Sequence, residues 1–228
     1  MIIASGAANI VSTPRLNAGP TVMKEARFWD KMAAKYSRQP VANEEAYQHK
    51  LAKTREYFKP DMSVLEFGCG TGTTSLSHAP FVKHIRATDF SPNMIEIARD
   101  KAKAAGVENV TFECVGVEDF SGTDGAYDVI MGHSILHLLD DKEAVIAQVR
   151  RWLKPGGVFI SSTVCLGDKM GWFRFIAPIG RAIGVFPLVR VFKGAELARA
   201  LRDAGFQIDY EWQPENGVSM FFVARKPQ

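Results

Sequence analysis

Between residues 63 and 164 short apolar runs alternate with longer amphipathic stretches, and few folds accept that rhythm. The runs 63–67, 85–88, 110–115, 129–131 and 158–164 have the length and the β-branched or aromatic content of strands. Between them, 73–78, 91–105 and 140–153 repeat apolar residues at helical spacing. Ser91-Pro92 offers a cap followed by proline at the first helical position, and Gly106 stops that helix. Strands alternating with helices of this length predict a parallel sheet covered on both faces.

The flanks add to this frame. Ahead of it, Phe28, Trp29, Met32, Ala33 and Tyr36 recur at helical spacing, and 43–58 shows a second helical pattern. Residues 1–22 hold no periodicity and read as a loose arm. Behind it, 170–192 is rich in aromatic and aliphatic residues but is broken by Gly171, Pro178, Gly180, Gly184 and Pro187, which predicts interrupted helices forming a cover rather than one smooth helix. A helix over 194–204 ends at Gly205, and runs 206–212 and 218–224 flank a turn with Pro214, Asn216 and Gly217, an antiparallel hairpin. The expected fold is α/β, a Rossmann-like seven-stranded, mostly parallel sheet with a C-terminal antiparallel hairpin. Residues 23–228 form one domain, with cap helices in 23–58 and a lid insertion at 165–193. A length of 228 residues suits one embellished domain better than two.

Composition excludes several classes. A net charge of +3 is too small for a dedicated nucleic-acid binder, so no nucleic-acid partner is expected. Cys69, Cys114 and Cys165 are odd in number and far apart, suggesting neither disulfides nor a cysteine metal site and fitting a reducing compartment. The first twenty residues lack a secretory pattern, and arginines interrupt the most apolar window, so the expected location is cytoplasmic with no spanning helix.

The chemistry gathers at Glu66-Phe67-Gly68-Cys69-Gly70-Thr71-Gly72, where a strand turns into a helix. Glycines there let backbone approach a ligand and tolerate positive φ. About twenty residues on, Asp89 ends the next strand, where a Rossmann-like sheet offers a carboxylate to a ribose diol. The glycines at 68, 70 and 72 miss the dinucleotide spacing, and no phosphate-cradling loop with its lysine is present. A carboxylate at Glu66 would repel a pyrophosphate and attract an ammonium group. The pattern fits a nucleoside cofactor with an amino-acid tail.

With those residues in view, the chain resembles the class I S-adenosylmethionine-dependent methyltransferases, in the branch that serves quinone biosynthesis and small molecules. The likeness rests on VLEFGCGTG, TDFSPNMIEIAR, VGVEDF, YDVIMGHSILHLL and LKPGG in that order, covers residues 59 to 164 closely, and continues more loosely to the end. It implies S-adenosylmethionine as cofactor, with Glu66, Gly68, Cys69 and Gly70 at the methionine moiety and Asp89 at the ribose hydroxyls. Phe90 and Met94 would flank the adenine, Val117 and Glu118 would close its edge, and His133 would stand nearby. Gly116 stands where many members carry an aspartate for the adenine amino group, which shifts that role to Glu118 or to backbone. Gly132-His133-Ser134-Ile135 replaces the Pro-Pro-Tyr signature of nucleobase-amine methylation.

In-line methyl transfer needs positioning more than strong acid–base chemistry, but an oxygen or amine acceptor must lose a proton. His133, His137 and Tyr36 are the candidates for that work. Asp140 and Asp141 read as helix caps, and Pro155-Gly156-Gly157 as a turn before the fifth strand. The apolar content of 170–192 suggests a lid over an apolar small molecule or lipid head group, with peripheral membrane contact, Arg174 and Arg181 meeting anionic head groups. The competing readings are a binding module that transfers nothing, an NAD-dependent reductase and a nucleic-acid methyltransferase.

Overall fold

The computed structural model describes residues 20–215 and 217–228, with side chains from residue 25 onward. Residues 1–19 of the expected arm, and Asn216 of the expected turn, lie outside the described residues. Seven strands, β1 (Ser63–Phe67), β2 (His84–Asp89), β3 (Val110–Cys114), β4 (Tyr127–His133), β5 (Leu153–Val164), β6 (Gln207–Trp212) and β7 (Ser219–Arg225), form one sheet in the order β3-β2-β1-β4-β5-β7-β6. β1 to β5 are parallel, while β7 is antiparallel to β5 and to β6. The helices are α1 (Pro20–Tyr36), α2 (Glu44–Arg55), α3 (Thr73–His78), α4 (Pro92–Ala104), α5 (Lys142–Trp152), α6 (Phe173–Ala182) and α7 (Gly194–Asp203).

Strand alternation feeds two cores. Leu65, Phe67, Ile130, Phe159 and Phe222 face one side, where they pack with residues of α5 and α7. Val64, Ile85, Val129, Met131, Ile160 and Phe221 face the other, against α4. Successive strand side chains point to opposite faces, and each large one fully buried contributes about 1.5–3 kcal/mol. Helix starts are fixed locally: the Ser91 hydroxyl accepts from the Met94 N–H at 3.2 Å and Asp141 accepts from the Ala144 N–H at 2.9 Å, each cap worth about 1 kcal/mol.

The structure amends the sequence reading in several places. Helix α1 begins at Pro20, so residues 20–22 lie in a helix. Strand β5 starts at Leu153, paired with Tyr127, and the ladder shifts register before Val129 meets Val158, so Pro155-Gly156-Gly157 is an irregularity inside the strand rather than a turn before it. The lid holds one α-helix, α6, with Pro178 inside it. Proline forfeits one backbone bond there, whereas Gly184, at φ 76, and Pro187 stop any second helix from following. Among the described residues no helix is long and apolar enough to cross a membrane.

Strand order reverses between β1 and β4, with β2 and β3 on one side of β1 and β4 and β5 on the other. Ligands of open α/β sheets bind beyond the carboxyl ends of strands at such a reversal, and the glycine bend leaves β1 there.

Candidate active site

The bend is built from backbone that only glycine takes easily: Gly68, Gly70 and Gly72 have φ of 64, 54 and 75. A Cβ on Gly68 would stand 2.9 Å from Ile135, so that position needs glycine for space as well. A Cβ on Gly70 would meet only the Tyr36 ring at 3.8 Å, which leaves a hollow beside the backbone. The Gly70 and Ser91 N–H groups donate to the two oxygens of Asp89, both at 2.9 Å, tying the end of β2 to the bend. Burial raises the Asp89 pKa to about 6 against the pull of those two donors, with Asp30 adding repulsion.

A crevice opens over this junction. Gly68, Asp89, Phe90, Val117 and Glu118 line it, with Gly116 beside them. Ile135 and Leu139 beyond β4, Trp29 of α1 and Leu188 of the lid complete an apolar wall. Its inner cavity is about 70 Å³, well below the roughly 300 Å³ or more of pockets that hold small molecules. Glu25 closes the roof: it accepts from Arg181 of α6 and from the Leu188 N–H, both at 3.0 Å. Burial, then Asp140, raise the pKa of Glu118.

Other predicted residues stand around the crevice rather than on its wall. Glu66 is buried below the bend, where its carboxylate accepts from the Ser75 hydroxyl, and burial lifts its pKa to about 7. Cys69 is buried, its thiol pKa pushed well up by burial and by Asp89. Met94 is packed inside the α4 face because α1 seals that helix's start: Asp30 accepts from the Ser91 hydroxyl at 2.6 Å and from the Asn93 N–H at 3.3 Å. Only Asp141 caps α5; Asp140 lines the crevice and pairs with Arg190 at 2.7 Å. Arg181, expected to face head groups, pairs with Glu25.

His133 ends β4 opposite Ser162 of β5, and Lys50 of α2 donates to the Ser162 hydroxyl at 2.9 Å. Burial, then the Lys50 charge, push the His133 pKa down to about 4, so its imidazole is neutral near pH 7. Burial likewise lowers the Lys50 pKa. The next residue, Ser134, is the sole non-glycine with positive φ among the described residues, at 54; such strain persists where surrounding structure enforces it. His137 lies in a 3-10 turn, its pKa lowered to about 4 by burial, and its carbonyl accepts from the Arg190 N–H at 2.7 Å. Burial, then Asp89, raise the Tyr36 pKa, so its hydroxyl stays protonated.

Sequence reasoning missed Lys50 and Glu25; Leu188 belongs to the apolar content expected of the lid, and it does line the crevice. Lys50 shares the inner face of α2 with Leu51 and Thr54, a signal hidden by that helix's weak amphipathicity. Glu25 and Leu188 are 163 residues apart and carry no joint signal.

The arrangement fits S-adenosylmethionine. A carboxylate beside an apolar wall suits a ribose joined to a purine, and the hollow at Gly70 admits a chain lying against backbone. A methyltransferase domain family matches residues 64–157. A demethylmenaquinone methyltransferase of Leptospira interrogans is 33% identical over 134 residues, covering 57% of this chain and 53% of the relative. A ubiquinone biosynthesis O-methyltransferase of Xanthomonas euvesicatoria is 30% identical over 151 residues, covering 64% and 63%. The first curated relatives are longer than the match, and the chain spans 6% to 63% of their length. Among solved structures, the (4+2)-cyclase SpnF superposes with a TM-score of 0.73 at 18% identity, covering 91% of this chain and 97% of that one. At that identity the likeness establishes the fold, which hosts more than one chemistry.

Proposed function

We propose that the chain, whose residues 64–157 match a methyltransferase domain family, is a class I S-adenosylmethionine-dependent methyltransferase that transfers a methyl group to an oxygen or nitrogen of an apolar small molecule or lipid head group. The reading rests on one observation: the glycine bend, Asp89 and an apolar wall meet in a single crevice. The quinone names of two relatives support an apolar acceptor.

When bound, S-adenosylmethionine supplies an electrophilic methyl on a cationic sulfur, open to in-line displacement. Asp89 would accept from the ribose hydroxyls, Phe90 and Val117 would flank the adenine, and Glu118 would meet its edge. Gly68 and Gly70 would let the amino-acid tail lie on the backbone, and Glu66 beneath them would favour its ammonium. Neutral His133 accepts the proton of an acceptor hydroxyl, and the Lys50 ammonium opposes the negative charge that develops on that oxygen, which favours an O–H acceptor. Tyr36 closes the Gly70 side as a hydrogen-bond donor. His137 acts through its backbone, holding Arg190.

The test incubates the full chain with methyl-labelled donor and a panel of hydroxylated quinol analogues and lipid extract. Label is expected in an apolar product, with His133→Asn lowering kcat about 100-fold or more. Because burial holds His133 near 4, the rate shows no acid limb with a midpoint near 6.5. Donor binding without label in any acceptor would contradict the reading and favour a binding module.

A further inference from the structure

Helix α6 presents its apolar side to solvent. Trp172, Phe175, Ile176, Ile179 and Ile183 follow one another at helical spacing, and Phe175, Ile179 and Ile183 are 73%, 63% and 72% exposed. Its buried residues are the small ones, Ala177 and Gly180, whereas the large side chains of Phe175, Ile176 and Ile179 stand exposed. Scattered exposed apolar residues are ordinary; a contiguous stripe of this kind marks an interaction face.

Charge identifies the partner. From residue 169 to residue 193 the sequence holds Lys169, Arg174, Arg181, Arg190 and Lys193 and no acidic residue. The Arg181–Glu25 pair joins this segment to α1. On α1 and the turn after it, Arg27, Lys31, Lys35 and Arg38 are exposed at spacings of four, four and three, one face of a helix. The two acids of that stretch are engaged inward, Glu25 with the lid and Asp30 with the start of α4. A chain of net charge +3 thus collects its excess cations around one apolar helix.

We propose that α6 and the basic face of α1 together dock on an anionic lipid bilayer. The apolar stripe enters the head-group boundary, Trp172 lies at the interface, and Lys169, Arg174 and Lys193 together with the exposed cations of α1 neutralise anionic lipid. A second copy of the chain fits less well, because a symmetric contact through α6 would set two segments without acids against each other. Leu188, a few residues beyond α6, lines the crevice, so the docked face adjoins the site. The proposal stands on the surface alone and does not require the methyl-transfer reading.

Co-sedimentation of the full chain with phosphatidylglycerol–phosphatidylcholine vesicles, and with phosphatidylcholine vesicles, tests it. The chain is expected to bind the anionic vesicles, more weakly as salt rises, and to bind phosphatidylcholine at least several-fold less. Phe175→Asp/Ile179→Asp should reduce partitioning about tenfold or more, and Lys31→Glu/Lys35→Glu by about fivefold per removed cation. Both variants change exposed residues and should keep the wild-type calorimetric affinity for S-adenosylmethionine, which separates this outcome from failure of the cofactor reading. Absence of binding to either vesicle would overturn the proposal, as would undiminished binding by the aspartate variant. So would a sedimentation-equilibrium dimer that the aspartate variant converts to monomer.

Discussion

His78 ends α3 fully buried, with neither ring nitrogen hydrogen-bonded and its ring edge-on to Phe58 at 5.0 Å. Burial, then His133 and Arg55, push its pKa to about 3. The unfolded chain takes up this proton near 6.5 and the folded chain refuses it until about 3, so stability is lost as pH falls through that window. At pH 5 the loss from this residue is about 2 kcal/mol. Glu66 and Asp89 act with the opposite sign, because their raised pKa values let the folded state protonate first. Comparing variant with wild type at each pH removes their effect. His78→Leu should therefore narrow the fall in denaturant-measured stability between pH 8 and pH 5 by about 2 kcal/mol; an identical fall in both proteins would contradict this account. Nothing in the residues around position 78 announces such a site, since only the fold brings Phe58 and His133 to it.

At the scale of elements, α1 decides access. Its Phe28, Trp29, Met32 and Tyr36 spacing was legible as a helix, but its role as roof was not, because Glu25 acts through a lid more than 150 residues away. The lid shows the reverse: its apolar content was legible, yet α6 turns that content outward, and Leu188 beyond it lines the crevice instead. Glu25 ties α1 to the 187–188 segment across the mouth of the crevice. Glu25→Ala removes two charge-assisted hydrogen bonds from that closure and should cost about 1.5–3 kcal/mol of stability. It should also speed donor association several-fold, read by stopped-flow fluorescence of Trp29 in the crevice wall. An unchanged association rate would show that Glu25 does not restrain entry.

Across the whole molecule, the parallel core was readable because its runs are short, apolar and punctuated by caps and glycines. Strand ends moved by one or two residues at most positions, while β5 reached back through Pro155-Gly156-Gly157, since the pairing of Leu153 with Tyr127 of β4 decided its start rather than local turn chemistry. Of the candidate site, Asp89 and the glycine bend carried a sequence signal because their spacing reflects two adjacent strands. Lys50 carried none, because α2 meets β5 only in the folded chain. Titration calorimetry of the full chain and its Asp89→Asn variant, with S-adenosylmethionine and separately with NAD, tests the central claim most directly. The account predicts one saturable site for S-adenosylmethionine, weakened tenfold or more by the variant through loss of about 1.5–3 kcal/mol, and no heat with NAD. Saturable binding of NAD without S-adenosylmethionine, or equal donor affinity in wild type and variant, would contradict it.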